Sequence, residues 1–207
     1  MFARKIALFV GAAALALTLT AGPRVEAQHN MDKMDMGRYG GPIYSGDPAL
    51  EVTAALVKAG GGPGHFSVAK AMTAMVGAKL VKAEVEKLTK QYGEEKVTSF
   101  LKVQDFAVED ALQIATKAGV KLPRPTLSGK KLAETLLMAG MDKEGTFYIE
   151  FLLDKAVTHK IHEAVMDDID ARFGGDADVN YHTISNQLWF DVGQALGNKT
   201  VKLAELH

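Results

Sequence analysis

Beyond residue 47 the apolar residues of this chain recur at helical spacing almost without relief, and glycine is what interrupts them. From Phe66, the residues Ala69, Met72, Val76, Leu80, Val85 and Leu88 follow every three to five positions as far as Tyr92, where Gly93 stops the run. That spacing puts one apolar stripe on a helix and leaves its other faces to charge. A second stripe of Val97, Phe100, Leu101, Val108, Leu112 and Ala115 opens behind Glu94 and Glu95 and closes at Gly119. Pro123 and Pro125 then impose an extended connection. Ser128 opens a short helix through Met138, and a long helix is expected from about Asp142 to Phe173, with Phe147, Phe151, Val157, Ile161, Val165 and Ile169 inside. Gly174-Gly175 breaks it, and a last helix over about Val179 to Leu196 carries Ile184, Leu188, Trp189 and Val192, with a tail that adds at most a turn. Ahead of these, Asp47-Pro48 has the form of an N-cap followed by proline at the first helical position, and Gly60 to Gly64 stops the short helix it opens.

Alternation with period two is nowhere sustained, so no sheet is expected. The predicted fold is all-α: an antiparallel four-helix bundle made of two helical hairpins, separated by the proline-containing crossover, with short additional helices. Its domain is residues 47–207. Residues 28–46, rich in glycine and without an apolar period, are expected to form a flexible N-terminal arm.

The first 27 residues have a different character. Arg4 and Lys5 precede an unbroken apolar run from Ile6 to Leu17, and Val25-Glu26-Ala27 precedes Gln28. A basic start, about a dozen apolar residues and small side chains before a cut are what an export machinery reads. The expectation is a signal peptide over residues 1–27 and a mature chain that is periplasmic or secreted. The run is short of the about 20 apolar residues that a membrane span needs, so no span is expected in the mature chain.

Without those residues the chain carries 21 basic and 24 acidic side chains. With no basic excess there is no electrostatic footprint for nucleic acid or an anionic membrane. Partners are expected among small ligands, metal ions and envelope proteins, with homo-oligomerisation left open. The absence of cysteine removes disulfides, thiolate metal sites and thiol nucleophiles. No serine stands in a strained elbow with a histidine–acid pair beside it, and nothing else in the sequence argues for an enzyme.

Four stretches carry a family resemblance: Lys82 to Leu88, Val103-Gln104-Asp105-Phe106, Gly119-Val120-Lys121-Leu122-Pro123 and His162-Glu163-Ala164-Val165. In their order the chain resembles, over roughly residues 66–196, a group of exported bacterial proteins of unknown function with a ferritin-like four-helix bundle. The resemblance implies a ferritin-like arrangement and no settled activity; a binding or stress-related role in the envelope is the expectation for this chain. Members of that group often have Asp-His where this chain has Asp105-Phe106, and a late histidine that is missing around Trp189 to Gln194.

The candidate chemistry lies mainly on the long helix after Gly140. His159 and His162 stand three residues apart, on adjacent faces of one turn, and neutral imidazole binds Cu or Zn. A hairpin turning near Asp176 would bring Asp191 opposite His162 as a third ligand. Asp154 and Thr158 lie eight and four residues ahead of His162 on the same line, placed to orient an imidazole from behind. A di-iron centre is not expected, because no helix of the mature chain carries Glu-x-x-His. In the arm, His29, Met31, Met34 and Met36 offer imidazole and thioethers, an alternative copper site. Gly62, Gly64 and His65 open a helix with successive backbone N–H groups that suit an anion. Asp176, Asp178 and Asn180 copy the start of a calcium loop, which then fails at Tyr181 and Gln187. Against all of these stands the plainer alternative, a structural or interaction module that binds no metal.

Overall fold

The computed structural model describes residues 47–156 and 159–204, except the side chains of residues 47–49, 155, 159 and 160. The expected signal peptide, the arm with its copper candidates His29, Met31, Met34 and Met36, and Thr158 lie outside the described residues, as does the side chain of His159.

Among the described residues eight helices follow in order: α1 (Asp47–Gly60), α2 (Val68–Val76), α3 (Ala78–Tyr92), α4 (Glu94–Lys117), α5 (Gly129–Gly140), α6 (Ile149–Ala156), α7 (His159–Phe173) and α8 (Gly175–Ala195). Two short strands, β1 (Thr146–Phe147) and β2 (Lys202–Leu203), pair in parallel. The architecture is an all-helical bundle. Helices α4, α7 and α8 pack on one another, α3 lies on α4 and α8, and α6 touches α5, α7 and α8. Helix α1 closes over α2, α5 and α6. Among the described residues no helix is long and apolar enough to cross a membrane.

Two of the four long helices expected from sequence form unbroken, α4 and α8. The other two are divided. The stripe from Phe66 to Tyr92 is cut at Gly77, where φ is 88° and ψ 149°. Gly93 and Gly174 repeat that geometry at 90°/152° and 88°/157°, so three pairs of consecutive helices are joined by one glycine each. Only glycine enters this region cheaply, and a single residue there redirects the chain without a loop.

The expected helix from Asp142 to Phe173 does not begin at Asp142. Thr146 and Phe147 leave the helical path to pair with Lys202 and Leu203, so the tail forms a strand where a helical turn was expected. The Phe147 ring explains the placement: it is fully buried, stacks on Trp189 with centroids 5.8 Å apart, and fills the space where a Cβ on Gly140 would sit. Burying a phenylalanine contributes about 1.5–3 kcal/mol. This offsets the helical bonds given up.

Helix α6 is described over Ile149–Ala156. Two bonds from other helices hold it. The Ile149 N–H donates to Asn186 Oδ1 of α8 at 2.7 Å, and Thr53 of α1 donates its hydroxyl to the Ala156 carbonyl at 2.8 Å. The first bond satisfies a terminal backbone group that a helix cannot satisfy itself.

Around this frame the core is continuous. Phe100 and Val103 of α4, Ile169 of α7, and Ile184 and Val192 of α8 are almost completely buried, as are Leu132, Leu136 and Leu137 of α5.

Candidate functional site: two buried histidines between carboxylates

Fixing Ile149 to Asn186 sets the next residue, Glu150, one turn along α8 from His182. Glu150 and His182 are both buried, with His182 Nε2 3.7 Å from Glu150 Oε1. On its other edge His182 meets its own helix. Nδ1 lies 2.8 Å from Asp178 Oδ1 and 3.0 Å from the Asp178 carbonyl oxygen, one turn earlier. Glu150 Oε2 is buried and has no hydrogen-bond partner among the described residues.

The second imidazole arrives from α7. His162 is 2 % exposed, its Nδ1 is 2.8 Å from Asp154 Oδ1, and its ring faces that of His182 with centroids 6.5 Å apart. Two imidazoles and three carboxylates are thus drawn together from α6, α7 and α8. Tyr181 packs edge-on against His182, with ring centroids 5.4 Å apart. Next to them, Gln104 of α4 donates to Ser185 at 3.0 Å across the same interface.

The electrostatics follow from the burial. Desolvation works against a charged His182, yet the Asp178 hydrogen bond and the charges of Glu150 and Asp178 outweigh it and raise its pKa above 6.5. Tyr181 is pushed far upward by burial and then by the same two carboxylates, so its phenol stays protonated.

Of the residues marked from sequence, the structure brings Asp154 onto the His162 ring. It does not bring Asp191 there. Asp191 lies nine residues beyond His182 on α8, roughly 13 Å along the axis, and its Oδ1 accepts from Lys87 Nζ of α3 at 2.6 Å. The chain turns at Gly174, earlier than the Asp176 on which that pairing depended, and His182 takes the place facing His162. Asp191 instead shares its surroundings with Glu84, whose pKa burial and the Asp191 charge raise. His182 and Glu150 were missed. The i, i+4 pair Asp178–His182 was the available signal, hidden because Asp178 was read as part of a loop. Asp176, Asp178 and Asn180 are all in the first turns of α8, which removes the calcium loop.

The glycine-rich turn also differs from the expectation. The Gly64 and Phe66 N–H groups donate to the two oxygens of Glu109, at 2.8 and 2.7 Å, and the Val68 N–H donates to Asp105 at 2.6 Å. The Gly62 N–H goes to the Val57 carbonyl and the His65 N–H to the Gly62 carbonyl. Gly62, Gly64 and His65 therefore offer an anion no uncommitted backbone donor. The chain supplies its own carboxylates there.

Among the described residues no group of three or more His, Asp or Glu is already set at ligand spacing around one point. His182 lies 3.7 Å from Glu150 and its ring centroid 6.5 Å from that of His162. No protein-family model, curated protein or solved structure matches this chain.

Proposed function

We propose that the chain is an exported helical-bundle protein of the cell envelope, ferritin-like in arrangement, that binds one transition metal ion, Cu or Zn, between α6, α7 and α8. The observation that carries the reading is at His182, where oxygen acceptors stand at both ring nitrogens. A neutral imidazole has one N–H and one lone pair. With the Nδ1 proton directed at Asp178, Nε2 would turn its lone pair on the Glu150 carboxylate. A positive charge belongs between them, either a second proton or a metal ion.

The separation favours the ion. At 3.7 Å the pair is too far apart for a hydrogen bond. Two donors at about 2.0–2.2 Å from a tetrahedral ion stand about 3.4 Å apart. A set of two histidines and one carboxylate would need the His162 ring, with its centroid 6.5 Å from that of His182, to move onto the same point. Asp154 and Asp178 would then hold the rings through Nδ1, as carboxylates behind metal-binding histidines do. Imidazole with carboxylate suits Zn and Cu. The apolar leader with its basic start supports export, and the sequence of two hairpins around α3–α4 and α7–α8 supports the ferritin-like arrangement.

The test is titration of chelator-stripped protein with Cu(II) and with Zn(II), following stoichiometry and Tm. One ion per chain and a raised Tm are expected, because an ion bound only by the folded state stabilises it by about 4 kcal/mol at 1,000 times Kd. His162→Gln and His182→Gln should each abolish the rise. A rise that survives both places the ion elsewhere, with the arm residues His29, Met31, Met34 and Met36 the next to replace. No rise with either metal leaves His182 as a structural imidazolium and sinks the reading.

A further inference from the structure

Two partly enclosed pockets adjoin one another along α4. The larger, about 50 Å³, is walled by α1, α4, α6 and α7 through residues that include Val57, Ala111, Leu112, Val165 and the His162 ring. The smaller, about 20 Å³, shares Thr53, Ala111, Leu112 and Ala156 with it and continues to Val120 and Leu122, in the extended segment that follows α4. Among the described residues, the larger chamber has two polar side chains on its wall, Thr53 and His162. The Thr53 hydroxyl is directed at the Ala156 carbonyl, and His162 Nδ1 at Asp154.

We infer that this chamber is a binding site for a small neutral ligand of two or three heavy atoms, the size class of dioxygen, nitric oxide or carbon dioxide, which reaches the His162 face by way of the smaller cavity. Size sets the upper bound. About 10–15 Å³ of such space houses one water, whereas a benzene ring occupies an engineered cavity of about 150 Å³. Polarity sets the rest. Water needs two to four polar partners, and this wall offers few. An ion would lose its hydration for an apolar surface. A neutral molecule restores the dispersion contacts that an empty apolar wall forgoes. The chamber is read in metal-free protein, so its test is separate from that of the ion at His182.

Xenon is a neutral probe of this size. The full chain, methyl-labelled, is observed by NMR under increasing xenon pressure. Saturable shifts are expected for methyls of Val57, Leu112 and Val165, with those of Leu132, Leu136 and Leu137 in the α5 core unmoved. Ala111→Leu, which fills space in both cavities, should abolish the shifts. Val165→Ile adds a single methylene, and should weaken xenon binding severalfold in a chain that still folds, so it decides the matter if Ala111→Leu does not fold. Shifts that never saturate, spread evenly through the core, or persist unchanged in the folded variants would overturn the assignment.

Discussion

Asp154 and His162 are eight residues apart in sequence and 2.8 Å apart in space. On one continuous helix eight residues span about 12 Å. The contact joins α6 to α7 at a distance that the spacing of one straight helix would not allow. The bond reaches a ring that is almost wholly buried. Asp154→Ala should therefore cost about 1–3 kcal/mol, the penalty for removing one partner of a buried polar group. Asp154→Asn, which keeps an oxygen in place, should recover most of it. Urea denaturation of metal-free protein measures both.

The charge at His182 gives a pH dependence of definite sign. Its folded-state pKa is raised above 6.5, so the native state holds the proton more tightly than the unfolded chain. That stabilisation is complete below pH 6.5 and is lost as pH rises through the folded pKa. Metal-free protein should accordingly show a Tm that falls as pH climbs from 6 through the neutral range. His182→Gln should flatten the curve in that window, and a slope unchanged by the substitution would assign the effect elsewhere.

Carboxyl groups add to the same trend at lower pH. Burial raises Glu84 beside Asp191, Asp110 beside Asp168, and Asp105, and in each case a neighbouring carboxylate pushes further. Their contribution is full below the ordinary carboxylate values and lost as pH rises through the raised ones. Glu84→Gln replaces one acid of a facing pair by an amide that can donate to Asp191. The variant should gain about 0.5 kcal/mol at pH 7, a modest figure because Glu84 is partly exposed and screened. The gain should vanish near pH 4, where the pair shares a proton. Denaturation midpoints at the two pH values decide it.

Glu109 offers a test of the glycine-rich turn. Its two carboxylate oxygens hold the Gly64 and Phe66 N–H groups, and Phe66 is buried against the end of α1, in the space a Cβ on Gly60 would take. Glu109→Ala should free residues 61–66 from α4 at a cost of about 1–3 kcal/mol, since charge-assisted bonds are the stronger class. Limited proteolysis should then cut within that turn many times faster than in the parent chain. Equal rates would show that ring packing alone holds it.

The parts of the fold legible in sequence are those that local chemistry controls. Gly60, Gly93 and Gly119 end helices where the apolar stripe also ends, and Pro123 and Pro125 forbid helix between α4 and α5. Gly77 was not legible, because Met72, Val76 and Leu80 continue the stripe straight across it. Nor was β1, whose pairing with Lys202 and Leu203 is decided by a partner more than 50 residues away. For the site, the line from Asp154 to His162 was visible as a spacing, although the two groups stand closer than eight residues of a continuous helix place them. The meeting of His162 with His182 depends on where the chain turns. A shift from Asp176 to Gly174, with the start of α8 moved to Gly175, changes which face of α8 meets α7.

That turn is itself testable. Gly174 has φ 88° and ψ 157°, and a Cβ built on it meets nothing within 4 Å. Any cost of Gly174→Ala is therefore backbone strain and not a clash. About 1–3 kcal/mol is expected for a residue held in a region that only glycine populates. Gly175 is the contrasting case. It is the first residue of α8, its Cβ would also meet nothing, and its φ lies outside the positive range, so Gly175→Ala should be neutral or stabilising by up to about 1 kcal/mol. Thermal denaturation of the two variants should give shifts of opposite sign or clearly unequal size. Because α7 and α8 each carry one of the facing histidines, the Gly174→Ala chain should also bind Cu(II) or Zn(II) more weakly at temperatures where it remains folded. Equal affinity in that variant would mean that the angle between the two helices does not set the distance between His162 and His182.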